Sequence, residues 1–203
     1  MGRALRKACI VRKNKLNIAR KRAVDSRLMR QTSLICLEAL KFCVSVISEE
    51  WDTIMGVESK LRKRLIDTLV HRTKTAVPKY PEFDLKFPKM PGYTRRAIIA
   101  DAFGMVKSYR SNHKNWKETP PMERGAEPTL GIPSRYELTF YDQERKMSCL
   151  ADSQIGLKLY NGKTWNWYYF QIRPSDAKQI SRLSKTRKML SPIVDKVRGR
   201  YQI

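Results

Sequence analysis

Cysteine, histidine and acidic side chains are scarce in this chain, and each scarcity closes a route. The four cysteines (Cys9, Cys36, Cys43 and Cys149) include no Cys-x-x-Cys pair, and only His71 and His113 stand beside them. That spacing does not build a zinc site, and no metal or other cofactor is expected. Cys36 and Cys43 lie two helical turns apart, too far to bridge within one helix, so reduced thiols are expected. Glycine-rich phosphate loops, a Gly-x-Ser-x-Gly elbow and a Cys/His dyad are missing. The few clustered acids, Glu49, Glu50 and Asp52 and then Asp142, Glu144 and Asp152, are expected to be solvated. No catalytic constellation remains, and the chain is not expected to be an enzyme.

Long apolar runs are also missing. Only Ala8-Cys9-Ile10-Val11 follows the basic start before charge returns, too short for a secretory signal core. The most apolar run, Leu34 to Ile47, carries Glu38 and Lys41 and falls short of the roughly 20 residues of a membrane span. A buried helix, a cytoplasmic location and no membrane partner are the expectations.

Positive charge is what the chain has in excess. Its 203 residues hold 42 Lys and Arg against 19 Asp and Glu, a net charge of +23. Such a balance favours a polyanionic partner, RNA or DNA before an anionic membrane. The first thirty residues carry eleven cations against the single acid Asp25. A block of this kind repels itself until phosphate contacts order it, so residues 1–25 are expected to form a basic arm. The 41 % apolar content is too high for a merely disordered basic tail.

Helical spacing of Leu28, Leu34, Ile35, Leu37, Leu40, Cys43, Val44 and Ile47 predicts a helix over about 26–51. A second is predicted from Glu58 to about Arg72, with Leu61, Leu65 and Leu69 as its buried stripe, widened by Ile66 and Val70. Lys60, Arg62, Lys63 and Arg64 crowd its other side, and a break at Met55-Gly56 predicts a helical hairpin. Pro78, Pro81, Pro88 and Pro91 make 76–93 an extended crossover pinned by aromatics. A third helix, about Thr94 to Trp116 and capped by Thr94, carries the stripe Ile99, Ala102, Phe103, Val106, Tyr109, His113 and Trp116. His113 there is expected to pack rather than ligate.

After a Pro- and Gly-rich loop over 117–135 the pattern turns to strands: 137–141, 146–150, 155–160 and 163–173. A helix over 176–190 and a strand pair around Arg198-Gly199 follow. Helical residues 26–130 followed by a β region over 131–203 make the fold class α+β. Asn161-Gly162 is a strong hairpin signal, because a two-residue type I′ turn needs positive φ twice. Such a turn would set Tyr160 opposite Lys163, Lys158 opposite Trp165 and Gly156 opposite Trp167. Alternation then places Ile155, Leu157, Leu159, Tyr168, Phe170 and Ile172 on one face. Lys158, Tyr160, Lys163, Trp165, Trp167 and Tyr169 fall on the other. A face of that kind can stack rings on bases while lysines meet phosphate. The same rings can instead pack against the helical part or close a small barrel.

The segment from His71 to Arg173 also resembles a known family. In order stand His71-Arg72-Thr73-Lys74, Pro78-Lys79-Tyr80, Phe83-Asp84, Phe87-Pro88-Lys89-Met90-Pro91-Gly92-Tyr93 and Arg95-Arg96-Ala97-Ile98. Val106-Lys107-Ser108-Tyr109, Asn115-Trp116, Arg124-Gly125 and the Trp165-Asn166-Trp167 hairpin follow. Together they resemble the N-terminal half of the TnpB/OrfB proteins of insertion sequences, transposon-encoded relatives of the type V CRISPR nucleases. The resemblance implies a helical recognition lobe followed by a wedge domain. That domain is a small antiparallel OB-like barrel, complete or incomplete, which grips guide RNA and target DNA. In that family the nuclease acids and zinc-finger cysteines come after the wedge domain, so the resemblance implies a chain truncated before the nuclease domain, with no catalytic residue to carry over. A free-standing basic RNA- or DNA-binding accessory protein is the alternative. In either case the residues expected to meet nucleic acid are Arg20, Lys21, Arg22, Lys60, Arg62, Lys63, Arg64, Arg95, Arg96, Lys158, Lys163, Trp165 and Trp167.

Overall fold

A computed structural model describes residues 23–141, 145–146, 153–184, 189–190, 193–195 and 200–202. Residues 1–22 of the basic arm, with Arg20, Lys21 and Arg22, lie outside the described residues, as do Cys9 and Cys149, while the last three positions assigned to the arm, 23–25, belong to the first helix.

The fold is α+β. Helix α1 (Ala23–Glu49) is followed by α2 (Trp51–Gly56), α3 (Arg62–Val70), the one-turn α4 (Glu82–Lys86) and the long α5 (Gly92–Glu118). A short 3-10 turn at Pro121–Glu123 leads to the strands β1 (Phe140–Tyr141), β2 (Arg145–Lys146), β3 (Gln154–Tyr160) and β4 (Trp165–Gln171). Helix α6 (Pro174–Ser184) and the short strands β5 (Met189–Leu190), β6 (Ile193–Asp195) and β7 (Arg200–Gln202) complete the order. Among the described residues the strands form three small antiparallel sheets, β1 with β5, β2-β3-β4, and β6 with β7, and these do not close into a barrel.

The periodicity that predicts α1 also explains its packing. Met29, Cys36, Ala39, Leu40, Cys43 and Ile47 recur at helical steps and are fully buried, mainly against Ile98, Ile99, Ala102 and Val106 of α5 and against β3. Met29, Leu40 and Ile47 each contribute about 1.5–3 kcal/mol by leaving water, and the smaller Ala39 and cysteines less. Cys36 and Cys43 are buried side chains within this layer. Burial, assisted by the nearby Asp67 carboxylate, pushes the Cys43 thiol up to about 12, which leaves it protonated and unreactive. The segment Arg27–Glu49 is long and apolar enough to cross a membrane by length and composition, a wider window than the Leu34–Ile47 run. A core helix passes the same test, and 56 % of its most apolar window is buried inside the protein.

Several local expectations are corrected. Helices α1 and α3 do not pair as a hairpin, since each packs chiefly on α5. The fully buried residues of α3 are Ile66 and Val70, with Leu65 and Leu69 half-buried against the core, while Leu61, just before the helix, is exposed, because the inner face is set by packing on α5. The crossover contains a helix: Pro81 opens α4, which buries Phe83 beside Phe87 and Phe42. Helix α5 starts at Gly92 after Pro91, so Thr94 lies inside it and Pro91 makes no side-chain cap. Helix α6 is described over Pro174–Ser184, and Met189-Leu190, expected at its end, is instead a strand paired with β1.

The hairpin register is also shifted. Tyr160 opposes Trp165, Lys158 opposes Trp167 and Gly156 opposes Tyr169. The Asn161 carboxamide oxygen accepts from the backbone N–H of both Lys163 (3.0 Å) and Thr164 (2.9 Å), and the Asn161 N–H donates to the Thr164 carbonyl. These bonds draw four residues into the loop, with positive φ at Gly162 alone. The slip is two residues, so the strand residues keep the faces expected of them, while Lys163 drops out of its face into the loop and Ile172 lies just beyond β4.

Candidate nucleic-acid interface

The long side chains expected to reach phosphate fall into two groups. In the first, the fold turns a cation inward. Arg95 stands in the first turn of α5, and its Nε donates to Asp67 Oδ1 of α3 at 2.7 Å, with the arginine side chain only 11 % exposed. Arg62 folds back over the end of α2, its Nε donating to the Val57 carbonyl (3.1 Å) and its Nη2 to the Met55 carbonyl (3.2 Å). Helix ends leave carbonyls without partners, and a guanidinium answers two of them at once. Arg95 and Arg62 are therefore fastenings of the helical layer, a correction to their expected place on the surface.

In the second group the cations face solvent. Lys63 and Arg64 project from α3, and Lys60 just before it sits 3.0 Å from Glu58. Arg96, next to the buried Arg95, lies over the Tyr93 ring at 4.4 Å and donates to the Gly92 carbonyl. Lys163 is exposed at the hairpin loop, and Lys158 is half-buried on β3.

The tryptophans divide in the same way. Trp165 is 7 % exposed, its ring tilted against Tyr160 at 5.5 Å. Its indole Nε1 is buried with no hydrogen-bond partner among the described residues. It is a packing residue, a correction to its expected outward position. The shifted register brings it to the first rung, beside the α1 turn that carries Gln31 and Thr32. There Thr32 Oγ1 accepts from the Tyr160 N–H at 2.9 Å, and the Gln31 side chain closes on Gly162. Trp167, one rung further, is half-buried, and Tyr169 beyond it is 47 % exposed.

Helix α5 supplies cations that were not singled out in the sequence. Lys107, Arg110, Lys114 and Lys117 follow one another at steps of three, four and three residues, and all are exposed. With Arg96 they lie within a sector of about 80° on a helix of 3.6 residues per turn. Their spacing was the available signal. The apolar stripe on the same helix is the stronger pattern, and it marks only the inner face. Arg110 lies over the Trp51 ring at 5.0 Å and donates to the Ser48 carbonyl at 3.1 Å, while Phe103 stacks on the same indole at 5.9 Å. On the helical end beyond them, Tyr109, His113 and Trp116 stack in sequence. His113 Nε2 meets Glu127 at 3.0 Å, and Trp116 Nε1 donates to the Gly125 carbonyl. These rings pin the following loop, in keeping with a packing role for His113.

The acids are not uniformly solvated. Glu50 is buried where α1 meets α2, and its Oε1 accepts from Lys79 Nζ and from the Tyr80 hydroxyl (2.7 Å). The bond from Lys79, then that from Tyr80, holds the Glu50 carboxyl below its ordinary value. The same bond to Glu50 raises Lys79, and burial pushes Tyr80 well above its ordinary range. This cluster ties the proline-rich crossover to the helical layer. Among the described residues no group of three or more His, Cys, Asp or Glu stands close enough to hold a metal ion.

What the geometry offers is an α+β protein with an apolar helical layer and unpaired cations on its outer side. Residues 12–161 match the Aq_aa04 family, and the chain belongs to it. The chain matches no curated protein and no solved structure.

Proposed function

We propose that the protein binds nucleic acid through the phosphate backbone. The observation that carries this is the lopsided pairing of charge on the helical part. Lys63, Arg64, Arg96, Lys107, Arg110 and Lys117 form no ion pair among the described residues, although all are exposed. Surfaces that only need solubility intersperse both signs. The net charge of +23 points the same way. The finer reading keeps the resemblance to TnpB/OrfB: the chain acts as the gripping half of such a protein on guide RNA or target DNA in the cytoplasm, without cleavage chemistry of its own. In that reading the small sheets stand for parts of an OB-like wedge barrel.

The test is binding of the purified chain to RNA and DNA across a salt series. If six to ten phosphates are neutralised, affinity falls by about 10³–10⁵ between 50 and 200 mM salt. An affinity indifferent to salt removes the proposal. Sequencing of co-purifying nucleic acid tests the finer reading, which requires RNA from transposon ends and fails on mixed bulk RNA. Incubation with Mg²⁺ is expected to leave both nucleic acids intact.

A further inference from the structure

We infer that the outer ridge of α5 is a docking rail for one strand of a double-helical nucleic acid. The inference rests on the nucleic-acid reading above and adds to it the site and the form of the ligand. Arg96, Lys107, Arg110, Lys114 and Lys117 share one side of a single 27-residue helix. The run from Lys107 to Lys117 advances about 4.5–6 Å per step at 1.5 Å per residue. That rhythm is close to the distance between successive phosphates on a strand.

Two features make the ridge a backbone reader. The first is rigidity. Helix α5 buries Ile98, Ile99, Ala102 and Val106 in the core, and Arg95 bolts its first turn to Asp67. The cations are thus held on one continuous helix instead of a loop. Arg110 is positioned further. Phe103 and Arg110 stand two turns apart, about 10.5 Å. The Trp51 ring lies 5.9 Å from one and 5.0 Å from the other, as expected for an indole held between them. The guanidinium therefore loses little freedom on binding.

The second feature is what the ridge does not present. Phe103, the aromatic ring in its sector, is already covered by Trp51. A flexible single strand is gripped by stacking its bases on free rings. A ridge of cations without free rings suits a ligand whose phosphates are already held in regular array, as in a duplex. On α5 itself the acid beside the ridge, Glu118, sits 3.6 Å from Lys114 in an exposed pair and opposes the ridge only weakly, and the exposed Glu49 and Asp52, next to the Ser48 and Trp51 that Arg110 meets, are solvated acids of the same small weight.

The experiment compares the full chain with Lys107→Gln/Lys114→Gln/Lys117→Gln on a 20-base-pair duplex and on one of its strands. Arg110 is left intact because it packs on Trp51. Glutamine keeps helix propensity at exposed positions, and an unchanged melting temperature is required of the variant. Lys107→Arg/Lys114→Arg/Lys117→Arg serves as a second variant that retains charge. Lys74→Gln/Lys89→Gln/Lys178→Gln removes the same charge elsewhere.

For the duplex, the slope of log affinity against log salt should fall by about 2–3 in the α5 glutamine variant. It should be retained in the arginine variant and change much less in the displaced triple. Equal losses in both glutamine triples would show a diffuse charge effect and overturn the rail. A wild-type preference for the single strand, or for vesicles rich in anionic lipid over duplex, would overturn it as well. If the wild-type chain binds duplex with a slope untouched by the α5 changes, the rail fails and the broader reading stands. If it binds neither nucleic acid, both fail.

Discussion

The helical layer and the β3–β4 hairpin sort the same residue types by different rules. On α5 the split is sharp. Arg95 is bonded to Asp67 inside the layer, while Arg96 one residue later lies over Tyr93 in solvent, because 100° of rotation separates them. On the hairpin the aromatic face is graded instead. Trp165, Trp167 and Tyr169 point to one side of the sheet, yet they run from buried through half-buried to exposed. What grades them is distance from the end of the hairpin, where Thr32 and Gln31 of α1 close on Tyr160 and Gly162. Rotation about a helix axis decides burial in the first region. In the second, position along the strand decides it.

The largest effect should come from the buried end of that gradient. Trp165→Ala is expected to cost about 3–5 kcal/mol of folding stability, as buried aromatic truncations do. Tyr169→Ala, two rungs away on the same face, should cost much less. Urea unfolding of both variants measures the gap. Equal costs would mean that the face is uniformly packed and the gradient is wrong. Equal and small costs, with weakened RNA binding, would return Trp165 to the role of a stacking platform.

Next in size is the contrast on α5. Arg95→Met leaves Asp67 half-buried without its partner and is expected to cost about 3 kcal/mol. Arg96→Ala forfeits an exposed contact with Tyr93 and should cost less than about 1 kcal/mol. For nucleic-acid affinity the order reverses, because only Arg96 reaches solvent. If both substitutions destabilise alike, neighbouring residues on α5 do not divide inside from outside.

This contrast shows what was legible in the sequence. The helices over 26–51 and about 94–116 are visible from their apolar spacing, and so are the hairpin and the membership of its two faces. Arg95 and Arg96 look identical in sequence, since Asp67 lies 28 residues away and only the packing of α3 on α5 brings it near. Trp165 was misplaced because alternation assigns a side of the sheet and says nothing of what covers each rung. The register slipped because Asn161 uses its side chain to widen the loop, an outcome that Asn-Gly leaves open. The α5 ridge was present as a spacing of cations, hidden by a stronger apolar signal on the same helix.

A smaller, pH-dependent effect should mark the seam between the helical layer and the crossover. Glu50 is held below its ordinary 4.5 by Lys79 and Tyr80, so the stability it contributes is fully present above 4.5. That contribution is lost as pH falls through the lower value of the folded state. Lys79 is raised, so its share is present below 10.5 and disappears as pH climbs through the folded value. Glu50→Gln should be less stable than wild type at pH 7, with the difference shrinking below pH 4.5. A difference that stays constant down to pH 3 would show that Glu50 acts through shape and not charge.

The smallest expected effect tests the hairpin loop that sets the gradient. Gly162 has φ of +95°, a region that other residues enter with strain, and its missing Cβ would stand 3.4 Å from the Gln31 side chain. Gly162→Ala should therefore cost about 1 kcal/mol, mostly from backbone conformation, because Gln31 is long enough to move aside. Gln31→Ala separates the two contributions. If the cost of Gly162→Ala survives in the Gln31→Ala background, backbone strain carries it. If the cost disappears, the contact with α1 carries it. In that case α1 fixes the loop directly, and the covered end of the hairpin is set by the helix, not by the turn.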